Sequence, residues 1–114
     1  SGERRQDGVM GSVVMGSEVR VLIYHATLDT EGIHRAYDRV STRLATVPGM
    51  LGNELLHSMH DPLGWVVVSR WADLAAFDKW ERGADHKQDT APLRPYRDTR
   101  LSRPFGIFEV TASY

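Results

Sequence analysis

An α+β fold with the order strand–helix–strand–strand–helix–strand is what this sequence predicts, on three observations. Four stretches carry strand-type patterns: "EVRVLIYHA" (18–26), "LGNELLHSMH" (51–60), "WVVVSRW" (65–71) and "FGIFEVTASY" (105–114). The segments after the first and third of them carry apolar residues at helical spacing. The chain has 114 residues, the length of one domain. Together these describe the ferredoxin-like split unit, one sheet with its helices on one face.

Each element has a local reason. Residues 1–17 hold four glycines, and charge gives way there to Val9, Met10, Val13, Val14 and Met15; we expect a flexible arm, with the folded domain spanning 18–114. In the first strand Val19, Val21, Ile23 and His25 take one face, and Arg20, Leu22, Tyr24 and Ala26 the other. Ile33, Tyr37, Val40, Leu44 and Val47 then form the stripe of an amphipathic helix. Asp29 or Thr30 can cap its start, and Pro48–Gly49 ends it. Asp61-Pro62-Leu63-Gly64 reads as a hairpin turn between the second and third strands. The third strand is almost continuously apolar, so both of its faces should be covered. Helices cover only one face of so small a sheet, which leaves the other for a further partner. Asp73 caps a short helix with Leu74, Phe77 and Trp80 or Glu81 on one side. The polar segment "RGADHKQDTAPLRPYRDTRLSRP" has helical character near 84–91, before its prolines.

Composition narrows the function. The net charge of −1, with no basic stripe, argues against nucleic acid as a partner. No run approaches the roughly 18 apolar residues of a membrane span, and no apolar core of a signal peptide is present, so we expect no membrane and a cytoplasmic location. The absence of cysteine removes disulfides, thiolate nucleophiles and thiolate-bound metals. No metal-ligand pair and no glycine-rich phosphate loop stand in the chain, and no metal is expected.

Chemistry then falls to histidines and aromatic residues. Trp65, Val67, Ser69 and Trp71 share a face of the third strand. His25 alternates with apolar residues on the first, and a polar ring on a buried face needs a partner or a task. A histidine can move a proton near neutrality. His34 lies beside the helix stripe and reads as solvated, while His57 and His60 have opposite parity in the second strand, so one of them should face inward. His86 lies between Asp85 and Lys87 at the start of the late helical segment. Tyr24 has the wrong parity for the His25 face, and Tyr37 belongs to the helix stripe. Arg94 and Arg97 flank Pro95-Tyr96, where either arginine could stabilise an enolate or phenolate.

"VPGMLGNELL" leading into the second strand, "VVVSRWADLAAFDKW" crossing into the second helix, "GADHKQDTAPLRPY" and the closing "FGIFEV" resemble the antibiotic biosynthesis monooxygenase family. The resemblance runs from Glu18 to Tyr114. It implies protomers that pair sheet to sheet as a dimeric α/β barrel, which would cover the second face of "WVVVSRW". It also implies an apolar pocket between sheet and helices. Trp71 sits where similar polyketide oxygenases keep a pocket tryptophan, whose N–H could orient a substrate oxygen. Those oxygenases also carry an asparagine four residues before it and a tyrosine six residues after; here Val67 and Phe77 stand at those positions. His86 lies within a residue of a position where many members place a histidine. The haem-degrading branch needs an asparagine, a tryptophan and a histidine at positions that fall here on His25, Trp80 and Thr90.

The resemblance implies a cofactor-independent monooxygenase acting on an aromatic polyketide-type intermediate, a polyphenol or anthrone, in secondary-metabolite biosynthesis. His25 or His86 would be the base and Trp71 would orient the substrate. Trp65, Val67, Phe77 and Trp80 would line the walls, with Arg94 and Tyr96 near the rim. Two other readings use the same parts: a cofactor-free polyketide cyclase, and a non-catalytic dimer that binds an aromatic ligand.

Overall fold

The computed structural model describes residues 17–114. The arm expected at 1–17 thus lies, apart from Ser17, outside the described residues. The elements in chain order are β1 (Val19–Ala26), α1 (Thr30–Leu44), β2 (Met50–His57), β3 (Gly64–Trp71), α2 (Leu74–Arg82), α3 (His86–Thr90), a 3-10 helix (Ala91–Tyr96) and β4 (Phe105–Glu109). The strands form one sheet in the order β2-β3-β1-β4, every neighbouring pair antiparallel. This is the ferredoxin-like arrangement.

The turns form where side chains replace the ladder. Asp29 accepts from Gly32 N (2.9 Å) and starts α1, and Asp73 does the same from Ala76 N (2.8 Å) for α2. Beyond His57 the Ser58 hydroxyl accepts from the backbone N–H of His60 (3.1 Å) and of Asp61 (3.0 Å), which bends the chain out of the sheet. The second strand therefore ends at His57, earlier than its sequence pattern implies, and His60 lies in the turn. Pairing of β4 with β1 stops at Glu109 opposite Val19, so the last strand is also shorter than 105–114. Pro92 and Pro95 lack the N–H an α-helix requires, and the late helical segment gives way to a 3-10 turn anchored by buried Leu93.

The inner face of the sheet carries the core. Trp65 and Val67 pack with Ile33, Ala36, Val40, Leu44 and Leu93 under α1, and Val19 and Val21 pack with Trp71 and Phe77 under α2. The other face carries Leu22, Tyr24, Leu56, Val66, Val68 and Phe108, as register requires. No helix covers that face among the described residues.

Candidate functional site

A cavity of about 460 Å³ opens between the inner face of the sheet and the helices. Its floor is formed by strand residues Val21, Ile23, His25 and Val67. Val40 and Leu44 of α1 close one side, Phe77 and Trp80 of α2 the other, and Leu93 supports the end. At the rim stand His86, Lys87, Arg94 and Arg97.

His25 is the most buried polar residue lining this cavity. It is 3% exposed, and its Nδ1 has no hydrogen-bond partner among the described residues. Burial favours the neutral ring and pushes its pKa down to about 4; the Ile23 backbone works against this, Arg97 reinforces it, and Asp98 weakly opposes it. A buried polar atom without a partner is uncommon in a folded protein and calls for a role. At neutral pH the ring is uncharged and can accept a proton.

The backbone places a charged group beside it. His25 and Arg97 face each other across an antiparallel bridge, so their side chains leave on the same side of the sheet. Asp98 N donates to Tyr24 O (3.0 Å) and Tyr24 N to Pro104 O (2.8 Å), which holds the 97–104 segment along β1. The Asp98 carboxylate does not line the cavity. It takes both Nε (2.9 Å) and Nη2 (2.8 Å) of Arg100, which also reaches Asp61 (2.9 Å). Hydrogen bonds from Arg100 hold both the Asp98 and Asp61 carboxyls below their usual range.

The aromatic residues divide between cavity and core. Trp71 backs the cavity but is fully buried, and its indole N–H donates to Ser69 Oγ (3.0 Å), whose hydroxyl lies 3.4 Å from Val21 O. That N–H is engaged within the protein, which corrects the expectation that it orients a substrate oxygen. Trp80 stacks at a tilt on Trp71 (5.3 Å between centroids), with the edge of His86 against it (4.7 Å). Its own N–H donates to Asp89 Oδ2 (3.0 Å). Phe77 meets Trp71 edge to face (5.5 Å).

Two residues expected at the site lie elsewhere. Trp65 donates to Thr27 O (3.1 Å) and is stacked under the His57 ring (3.9 Å), because β3 carries it to the α1 end of the sheet. Tyr96 packs on the α1 core with its hydroxyl against Gly32, where any side chain would collide with it. His34 meets the Trp65 edge (5.7 Å) and is exposed. Of the histidines, only His25 and His86 line the cavity.

Val40, Leu44, Thr90 and Leu93 also line it; the sequence placed the first two only in the helix stripe and Thr90 only at a haem-ligand position, and did not single out Leu93. The one available signal was Leu93, an apolar residue alone in a polar stretch. Thr90, at the iron-ligand position of a haem-degrading protein, has its hydroxyl on His86 O (3.1 Å) and does not suit that role.

Comparison with known proteins agrees with this architecture. The sequence pattern of the antibiotic biosynthesis monooxygenase family matches residues 28–89. Protein SchA of Streptomyces halstedii is 32% identical over 108 residues, covering 93% of this chain and 28% of SchA. Polyketide synthase CurD of Streptomyces cyaneus is 35% identical over 77 residues, 67% of this chain and 20% of CurD. The chain thus spans about a quarter of the length of these curated relatives. The crystal structure of SnoaB, a cofactor-independent oxygenase from Streptomyces nogalater, superposes with a TM-score of 0.69 at 18% identity, covering 85% of this chain and 96% of that one. With the family pattern running from the start of α1 through α3, and the sheet order and helix placement in agreement, this chain belongs to the antibiotic biosynthesis monooxygenase family.

Proposed function

We propose that this domain is a cofactor-independent monooxygenase of a flat, polyphenolic polyketide-type substrate, with His25 as its general base. One observation carries the reading: the partnerless Nδ1 of a buried His25 on the floor of an apolar cavity of about 460 Å³. The family, and relatives described as a polyketide synthase and a cofactor-independent oxygenase, support it.

The chemistry follows from the parts. The neutral imidazole takes a proton from an acidic ring methylene of the substrate, and the carbanion, an electron-rich ring system, reduces oxygen directly. One oxygen atom bonds to that carbon in place of its two hydrogens; the other leaves with them as water. Val67, Phe77 and Trp80 hold the flat rings and exclude water from the charge that develops. His86, half-buried at the rim, is placed to pass the proton outward.

A second reading is ring closure by aldol condensation with loss of water and no use of oxygen. The engagement of the Trp71 N–H by Ser69 favours it, because Val67 and Phe77 offer no donor in its place to hold a phenolate. We further propose that two copies pair through the uncovered sheet face.

The test is oxygen uptake with product mass analysis on a panel of anthrones, with no cofactor added. Wild type should consume oxygen and replace two hydrogens by one oxygen. His25→Ala should lower kcat by about 100-fold or more without loss of the folded state. Trp71→Phe should stay within a few-fold, its N–H having no part in the reaction. Full activity in His25→Ala would remove the proposed base, and loss of water without uptake would establish the cyclase.

A further inference from the structure

The charges around this cavity are sorted by sign. Lys87, Arg94 and Arg97 line it, and among the described residues no aspartate or glutamate does. The acids nearby face elsewhere or are occupied. Asp85 and Asp89 line an adjoining groove that shares Trp80 and His86 with the cavity, Asp89 being bonded to the Trp80 N–H, and both oxygens of Asp98 are held by Arg100. None of the three rim cations forms an ion pair among the described residues, although the whole chain carries a net charge of −1. The imbalance is therefore local.

Two of the three cations are also held in position. One Arg94 amino group, Nη2, donates to Lys87 O (2.9 Å) and Thr90 Oγ1 (3.2 Å), which fixes the guanidinium and leaves its other N–H groups available. Arg97 is placed by its bridge to His25, on the same side of the sheet. A planar guanidinium fork matches a carboxylate with two parallel hydrogen bonds, and the apolar lining just inside weakens competition from water.

We propose that Lys87, Arg94 and Arg97 form an anion site at the cavity mouth, and that the natural occupant is an aromatic carboxylic acid whose carboxylate rests there while its flat rings fill the apolar interior. The inference rests on the polyphenol reading above and narrows its substrate class. Arg97, next to His25, sets the depth at which the acid stops and so which ring carbon meets the base.

The experiment compares an anthraquinone carboxylic acid with its neutral primary amide by quenching of tryptophan fluorescence. The acid should bind wild type about tenfold tighter than the amide. Arg97→Gln should bring the two within about threefold by weakening the acid alone. Arg94→Gln and Lys87→Gln should each narrow the gap in part. Arg39→Gln, an exposed arginine of α1 away from the cavity, should leave it unchanged. Equal affinity of acid and amide for wild type, or a preference that survives all three rim variants, overturns the anion site and leaves the polyphenol pocket standing. Binding of neither compound overturns both.

Discussion

His25 is where burial and chemistry oppose each other. An imidazole in water takes its proton near pH 6.5, whereas here burial holds the native ring neutral down to about 4. Between those two values the unfolded chain binds a proton that the native chain refuses. Stability from this group is therefore complete above about pH 6.5 and falls as pH drops toward 4. Wild type should lose roughly 2–3 kcal/mol more than His25→Gln between pH 7 and pH 4.5, measured by urea unfolding. Equal losses would mean that the ring is not desolvated in solution. The Asp98 and Asp61 carboxyls, held low by Arg100, weaken the fold only at still lower pH, and their shared effect cancels in the comparison. A neutral His25 also suits the proposed reaction, since a protonated ring could not begin it.

At the level of elements, the join between α1 and β2 is tightly constrained. Gly49 has φ of 88°, the left-handed region, and a methyl group there would collide with the Ala76 Cβ of α2. Its carbonyl accepts from Ala72 N (2.8 Å), which ties the same turn to the end of β3. Gly49→Ala should destabilise by about 2 kcal/mol or more, from backbone strain and contact together. A midpoint shift in chemical denaturation is the measurement; an unchanged midpoint would show that the turn rearranges freely. The turn was readable from Pro48–Gly49, because a proline followed by a glycine ends a helix whatever packs around it. The change from α3 to a 3-10 turn was less readable. It depends on Leu93 finding a buried place beneath α1 as well as on the two prolines.

At the scale of the whole molecule, one face of the sheet carries no helix among the described residues. Tyr24, Val66 and Leu56 stand in a row across β1, β3 and β2, with Leu22 and Val68 beside them. Leu56 is 43% exposed and Phe108 53%, values that fit a surface meant for a partner better than one meant for water. Sedimentation velocity should report a dimer at micromolar concentration. Val66→Lys places a charge at the centre of that row and should shift the population to monomer with its thermal transition retained, since Val66 lies outside both core clusters. A wild-type monomer would remove the sheet-to-sheet pairing.

What the sequence determined alone was the order of strands and helices, the parity of each strand and the family. The first two depend on local periodicity, caps and turn residues, whose physics acts over a few residues, and the family on the resemblance of particular stretches to known members. It also brought His25, Val67, Phe77, Trp80, His86 and Arg94 to one region, because strand parity and helix spacing fix their faces. Tertiary structure alone decided which donors were free and which tryptophan met the cavity. Trp65 and Trp71 share a face of β3 and are both buried, yet one lies beneath His57 and the other bonds to Ser69. The contacts that separate them come from residues distant in the chain: Thr27 for Trp65, and Phe77 and Trp80 for Trp71. The same holds for the rim. Arg97 reaches the side of His25 through a bridge between segments 72 residues apart, and a pairing of that range is set by the closure of the whole sheet.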